Sequence, residues 1–96
     1  MTPSFSIRTT PRFERVFRTL LKRHPELVDR YAEALTILTR DPYNRSRRHQ
    51  ILKLEGIPHG EGQYRLRIRR WRFRYDIVGQ EVVLHSCHLR REDTYR

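Results

Sequence analysis

From Tyr64 to Tyr75 the chain alternates apolar and cationic residues with a period of two. Tyr64, Leu66 and Ile68 interleave with Arg65 and Arg67, and Trp71, Phe73 and Tyr75 interleave with Arg72 and Arg74. Successive side chains of a strand point to opposite faces, so this run predicts two strands, each with one apolar and one cationic side. Arg69-Arg70 makes a tight connection between them. Paired as a hairpin, the strands send Arg65, Arg67, Arg72 and Arg74 out of one face together, while Trp71, Phe73 and Tyr75 enter the core beneath. Whatever the rest of the chain does, it has to cover the aromatic side and leave the arginine side to solvent or to an anionic partner.

Two amphipathic segments upstream supply the cover. Thr9-Thr10-Pro11 offers a cap followed by proline in the first helical turn, and Phe13, Val16, Phe17, Leu20 and Leu21 then recur at spacings of three and four until His24-Pro25. A second helix is expected from about Glu26 to Arg40, with Leu27, Tyr31, Ala34, Leu35 and Leu38 on one stripe and Asp41-Pro42 as its stop. Before these, Ser4 to Arg8 alternates as a short half-buried strand. After the hairpin, Gly79-Gln80 turns the chain into a third consecutive strand, Glu81 to His85. Tyr43 to Gln50 reads as an arginine-rich connector, and Ile51 to Gly56 leads into a Gly/Pro loop, Ile57 to Gly62, expected beside the active surface. The predicted class is α+β: a strand, a helical hairpin, then a three-stranded antiparallel meander, forming a small twisted sheet with two helices on one face.

Ninety-six residues support a single domain spanning 1–96. The 21 Lys+Arg against 11 Asp+Glu give a formal charge of +10, and Lys22 and Lys53 are the only lysines. Such a bias toward arginine, whose planar fork grips phosphate and carboxylate and stacks on bases, points to a nucleic acid or an acidic protein segment. Cys87 is the only cysteine, so no intrachain disulfide can form and a cytoplasmic location is expected. No stretch approaches the ~20 apolar residues of a membrane span, and Met1-Thr2-Pro3-Ser4 has no apolar targeting region. One cysteine, scattered histidines and no paired carboxylates at a ligand spacing suggest no metal site, and independence from cofactors is expected.

The order of motifs resembles the RelE/ParE toxins of bacterial toxin–antitoxin pairs. Lys53-Leu54-Glu55-Gly56, Tyr64-Arg65-Leu66-Arg67, Arg72-Phe73-Arg74-Tyr75 and Val82-Val83-Leu84 are similar to the family's Lys-Leu-x-Gly segment, its two arginine-bearing strands and its final valine-rich strand. The tail His88-Leu89-Arg90-Arg91-Glu92-Asp93-Thr94-Tyr95-Arg96 looks like the endings of the RNA-cleaving, RelE-like members more than of the gyrase-directed, ParE-like ones. The resemblance implies a RelE-like fold and a ribosome-dependent endonuclease that cuts mRNA and stops translation. It also implies a cognate antitoxin whose apolar and acidic segment wraps the toxin. A ParE-like gyrase inhibitor and a non-catalytic nucleic-acid-binding or corepressor module are the alternatives.

Carried onto this chain, the resemblance gives Arg65, Arg67, Arg72, either Arg90 or Arg91, and Tyr95 as catalytic candidates, with His88 added by its chemistry. RNA is cut without a metal when its own 2′-OH attacks the adjacent phosphate, which needs a base, stabilisation of the phosphorane and an acid for the leaving oxygen. Arginine, with a pKa above ~12, serves only the second need. The proton handlers are therefore sought in Tyr95, a phenol of pKa ~10, or His88, an imidazole of pKa ~6.5, with His85, His59 and His49 behind them. Arg45, Arg47, Arg48, Lys53, Arg69 and Arg74 are expected to hold the RNA strand.

Overall fold

The computed structural model describes residues 4–90. In chain order the elements are β1 (Ser6–Thr9), α1 (Pro11–Arg23), α2 (Leu27–Arg40), β2 (Gln50–Lys53), β3 (Tyr64–Ile68), β4 (Trp71–Val78) and β5 (Glu81–Leu89). The helix boundaries follow local chemistry. Thr10 accepts a hydrogen bond on Oγ1 from the Phe13 amide at 3.1 Å, with Pro11 next to it in the first turn, and the His24 amide closes α1 on the Leu20 carbonyl at 2.9 Å. Helix α2 ends where the Asp41 amide bonds the Ile37 carbonyl at 2.7 Å and Pro42 follows.

The strands form one five-stranded mixed sheet in the order β1-β5-β4-β3-β2, antiparallel except for the parallel pair β1 and β5. Helix α1 lies over β5, and α2 over β1 and β3. Between helices and sheet, Phe13, Leu27, Ala34 and Leu38 pack against Leu66, Phe73, Tyr75, Leu84 and Cys87, all buried. Trp71, Phe73 and Tyr75 are thus core residues, and Tyr75 also donates its hydroxyl to the Pro42 carbonyl at 2.8 Å. Among the described residues no helix is long and apolar enough to cross a membrane.

Two features differ from the expected meander. The segment before the Gly/Pro loop is a strand: Gln50–Lys53 pairs with Tyr64–Arg67, and β2 forms the edge of the sheet opposite β1. Its short pattern hides this, because only Ile51 turns toward the core while Leu52 is 55% exposed. The last strand runs four residues beyond His85, to Leu89, and it does so through a bulge. Arg74 pairs with Ser86 but Tyr75 pairs with Leu84, which leaves His85 as an extra residue on β5.

Candidate functional site

The pairing register decides which cations meet on the face away from the helices. Arg67 stands opposite Arg72, and Arg72 opposite His88, so these three form one row across β3, β4 and β5. With strands ~4.8 Å apart the row spans about 10 Å. A second row, Arg65, Arg74 and Ser86, lies beside it. Arg67 is steadied by a hydrogen bond from its Nε to the Arg69 carbonyl at 3.1 Å. Arg72 Nε is buried and has no hydrogen-bond partner among the described residues.

Along one flank of these rows the sheet opens into a cleft of about 400 Å³ lined by Thr10, Arg12, Gly60, Arg74, His85 and His88, among others. Its far wall is the Gly/Pro loop, and β4 holds that loop in two ways. Arg74 donates from Nε and Nη2 to the Gly62 carbonyl at 3.1 and 2.9 Å, and from Nη2 to the Glu61 carbonyl at 3.0 Å. Asp76, two residues further along the same face and 1% exposed, accepts from the amides of Gly60, Gly62 and Gln63 at 3.1, 2.9 and 3.0 Å. Glycines suit this loop because Gly60 and Gly62 have φ of 98° and 83°, the left-handed region that other residues rarely adopt.

The electrostatics follow from these contacts. Burial alone would raise the pKa of Asp76, but the Gln63, Gly62 and Gly60 amides and the His85 imidazole outweigh it and hold the carboxyl below its ordinary value. The Nε2 of His85 lies 2.7 Å from the Asp76 Oδ2. For His88 the direction is also downward: partial desolvation first, then the guanidinium groups of Arg74, Arg12 and Arg72, disfavour the imidazolium. The neutral form of His88 is thus favoured beside this cationic surface, and its Nε2 lies 3.3 Å from the Ser86 hydroxyl.

The expected RNA-holding residues divide. Arg74 lies on the arginine face but is engaged with loop carbonyls. Lys53 pairs with Tyr64 on the helix-bearing side, its Nζ 5.8 Å from the Tyr64 ring centre, away from Arg65 and Arg67. Arg45 and Arg48 line a separate cleft at the end of α2 with Phe5, Arg40 and Tyr43. There the connector is an ordered turn: Asp41 accepts from Arg45 and Ser46 amides, and the Asn44 side chain brackets His49. Arg47, with φ of 60°, and Arg69, with φ of 55°, are exposed at turns.

Arg90 lies one step past β5, its amide bonded to the Arg70 carbonyl at 2.7 Å. Arg91 and Tyr95 lie outside the described residues. His59 bonds the Ile77 carbonyl at 3.3 Å, and neither it nor His49 lines the cleft that holds His85 and His88. The residues of this region that the sequence pattern does not single out are Arg12 and Ser86, which line the cleft, and Asp76, buried behind His85; His85 itself is only a minor candidate in the sequence. Asp76 did carry a signal, as the one acidic residue in the run from Tyr64 to Val78, in step with Arg72 and Arg74. No group of three or more potential metal-ligating side chains is gathered among the described residues.

Compared with protein-family models, with curated proteins and with solved structures, the chain matches none.

Proposed function

We propose that this chain is an endoribonuclease acting on translated mRNA in the cytoplasm, the toxin of a toxin–antitoxin pair. The observation that carries the reading is the row Arg67, Arg72 and His88: two guanidinium groups beside an imidazole on one face of the sheet. A phosphodiester laid on this row meets guanidinium groups that balance the charge of a phosphorane, and a base within the same strand spacing. The attacking group is the RNA's own 2′-OH, so the reaction asks nothing of the protein beyond positioning, charge stabilisation and proton transfer. Arg65 flanks the row in the neighbouring one, and Arg90 follows directly on the end of β5.

The formal charge of +10 also suits an antitoxin with an acidic, apolar wrapping segment. The test is direct. Purified chain is incubated with mRNA, alone and on programmed ribosomes, and the ends of the fragments are analysed. Cleavage leaving 2′,3′-cyclic phosphate, reduced at least tenfold in Arg72→Ala and in His88→Gln, is expected. Intact mRNA together with inhibition of DNA gyrase would move the chain to the gyrase-directed reading.

A further inference from the structure

The cleft holds a second imidazole that the row described above does not use. Strict alternation would put His85, three residues before His88, on the opposite side of β5. The bulge cancels this. His85 is the residue left over between the Arg74–Ser86 and Tyr75–Leu84 pairs, and it lines the cleft together with Ser86 and His88. Its ring is held from behind, with Nε2 2.7 Å from a carboxylate that is 1% exposed. That carboxylate is itself fixed by the three amides of Gly60, Gly62 and Gln63. An ionised acceptor on Nε2 places a proton there and leaves Nδ1 as the nitrogen that exchanges protons with a ligand.

We propose that His85, aimed by Asp76, is a second catalytic residue of this site and forms an acid–base pair with His88 on an RNA phosphodiester. The inference rests on the ribonuclease reading and deepens it. As O2′ bonds to phosphorus, His88 takes the 2′-OH proton. As the P–O5′ bond breaks, His85, protonated on both nitrogens, gives its Nδ1 proton to O5′. The products are a 2′,3′-cyclic phosphate and a 5′-hydroxyl, with nothing oxidised, nothing reduced and no water consumed.

The groups around the two rings fit this division. Partial burial first, and then Arg74 and Arg72 from β4 and Arg12 from α1, oppose protonation of His88, which suits it to the part of the base. His85 shares the cleft with Arg12, Arg74 and Glu61, but its direct partner is the Asp76 carboxylate, which is complementary to an imidazolium. Asp76 touches no substrate atom in this scheme and is a positioning residue.

The deciding experiment uses the full chain and compares an ordinary RNA with one whose scissile 5′ oxygen is replaced by sulfur, a leaving group that departs without an acid. His85→Ala is expected to cut ordinary RNA ~10²–10⁴-fold more slowly, the usual contribution of a general acid, and to regain most of the loss on the sulfur-bridged substrate. His88→Ala is expected to stay slow on both. Nitrogen-15 NMR of the wild type, at a pH where the His85 ring carries a single proton, is expected to find that proton on Nε2. If the wild type cuts neither RNA, the ribonuclease reading falls and the pair with it. If the wild type cuts but His85→Ala is equally active, or its defect persists on the sulfur-bridged RNA, the acid role of His85 is overturned and the ribonuclease reading stands. A proton found on Nδ1 would overturn the role of Asp76.

Discussion

Arg67 on β3 and Arg72 on β4 stand directly opposite each other, like charges on one face of an antiparallel pair. Such an arrangement opposes folding by a few tenths of a kcal/mol to about 1 kcal/mol. It persists here with the Arg72 Nε buried and lacking a hydrogen bond among the described residues. We expect Arg72→Thr to raise stability by about 0.5–1 kcal/mol, read as a higher urea midpoint at unchanged slope, while weakening RNA binding at least tenfold. A variant that loses both stability and binding would instead make Arg72 a structural residue.

The proposed function, with RNA held electrostatically on the arginine face, predicts a salt signature. On single strands log K falls with log salt at ~0.7 per phosphate neutralised. Arg67→Ala is expected to reduce that slope by about 0.7, and Lys53→Ala, on the helix-bearing side, to leave it unchanged. Titrations of a labelled oligoribonucleotide at several salt concentrations measure both. Equal losses from the two variants would mean that RNA is held by overall charge and not by the arginine face.

The period-two run fixed the faces of Arg65, Arg67, Arg72 and Arg74 because one-sided burial of Trp71, Phe73 and Tyr75 allows a single register. Thr10-Pro11 and Asp41-Pro42 marked helix ends through purely local chemistry. What could not be read locally was decided by distant partners. Val82-Val83-Leu84 has no alternation, so nothing in it announces the bulge that brings His85 round to the cleft. Arg74 looked like its neighbours, yet it is held by the carbonyls of Glu61 and Gly62, more than ten residues away in the chain. Asp76 was visible as an odd acid, but its purpose depends on amides presented by a glycine loop.

The Tyr75 hydroxyl is fully buried against the Pro42 carbonyl at 2.8 Å, tying the centre of the sheet to the chain just past α2. Tyr75→Phe keeps the ring but strands a buried acceptor. We expect a loss of about 1–3 kcal/mol in chemical denaturation. A change near zero would show that water takes the place of the hydroxyl.

Acid should weaken the fold in two steps. The pKa of His88 is lowered in the folded state, so below ~6.5 the unfolded chain binds more protons and stability falls with pH until His88 itself titrates. Asp76, also lowered, contributes stability above the ordinary carboxylate range that is lost as pH drops through ~4 toward its folded value. Melting temperatures from pH 8 to pH 3 are expected to show both declines, and His88→Gln to remove the upper one alone. A His88→Gln profile that superimposes on the wild type would exclude His88 as its source.

Alkali acts through the opposite sign. Cys87 lies in the core, 1% exposed, opposite Phe73, and burial pushes its thiol up to about 12. The unfolded thiol ionises near ~8.5, so above that pH the unfolded state releases a proton that the folded state keeps, and stability declines by about 1.4 kcal/mol per pH unit. The same burial keeps the thiolate from forming in the native protein, and the thiolate is the reactive species. A disulfide reagent at pH 8 is therefore expected to modify Cys87 only at the rate at which the core opens, orders of magnitude below that of the urea-unfolded chain. Cys87→Ala, whatever the cost of the lost sulfur, is expected to flatten the decline between pH 8.5 and 10. Rapid labelling of the folded protein would place the thiol at the surface and remove the basis for the alkaline effect.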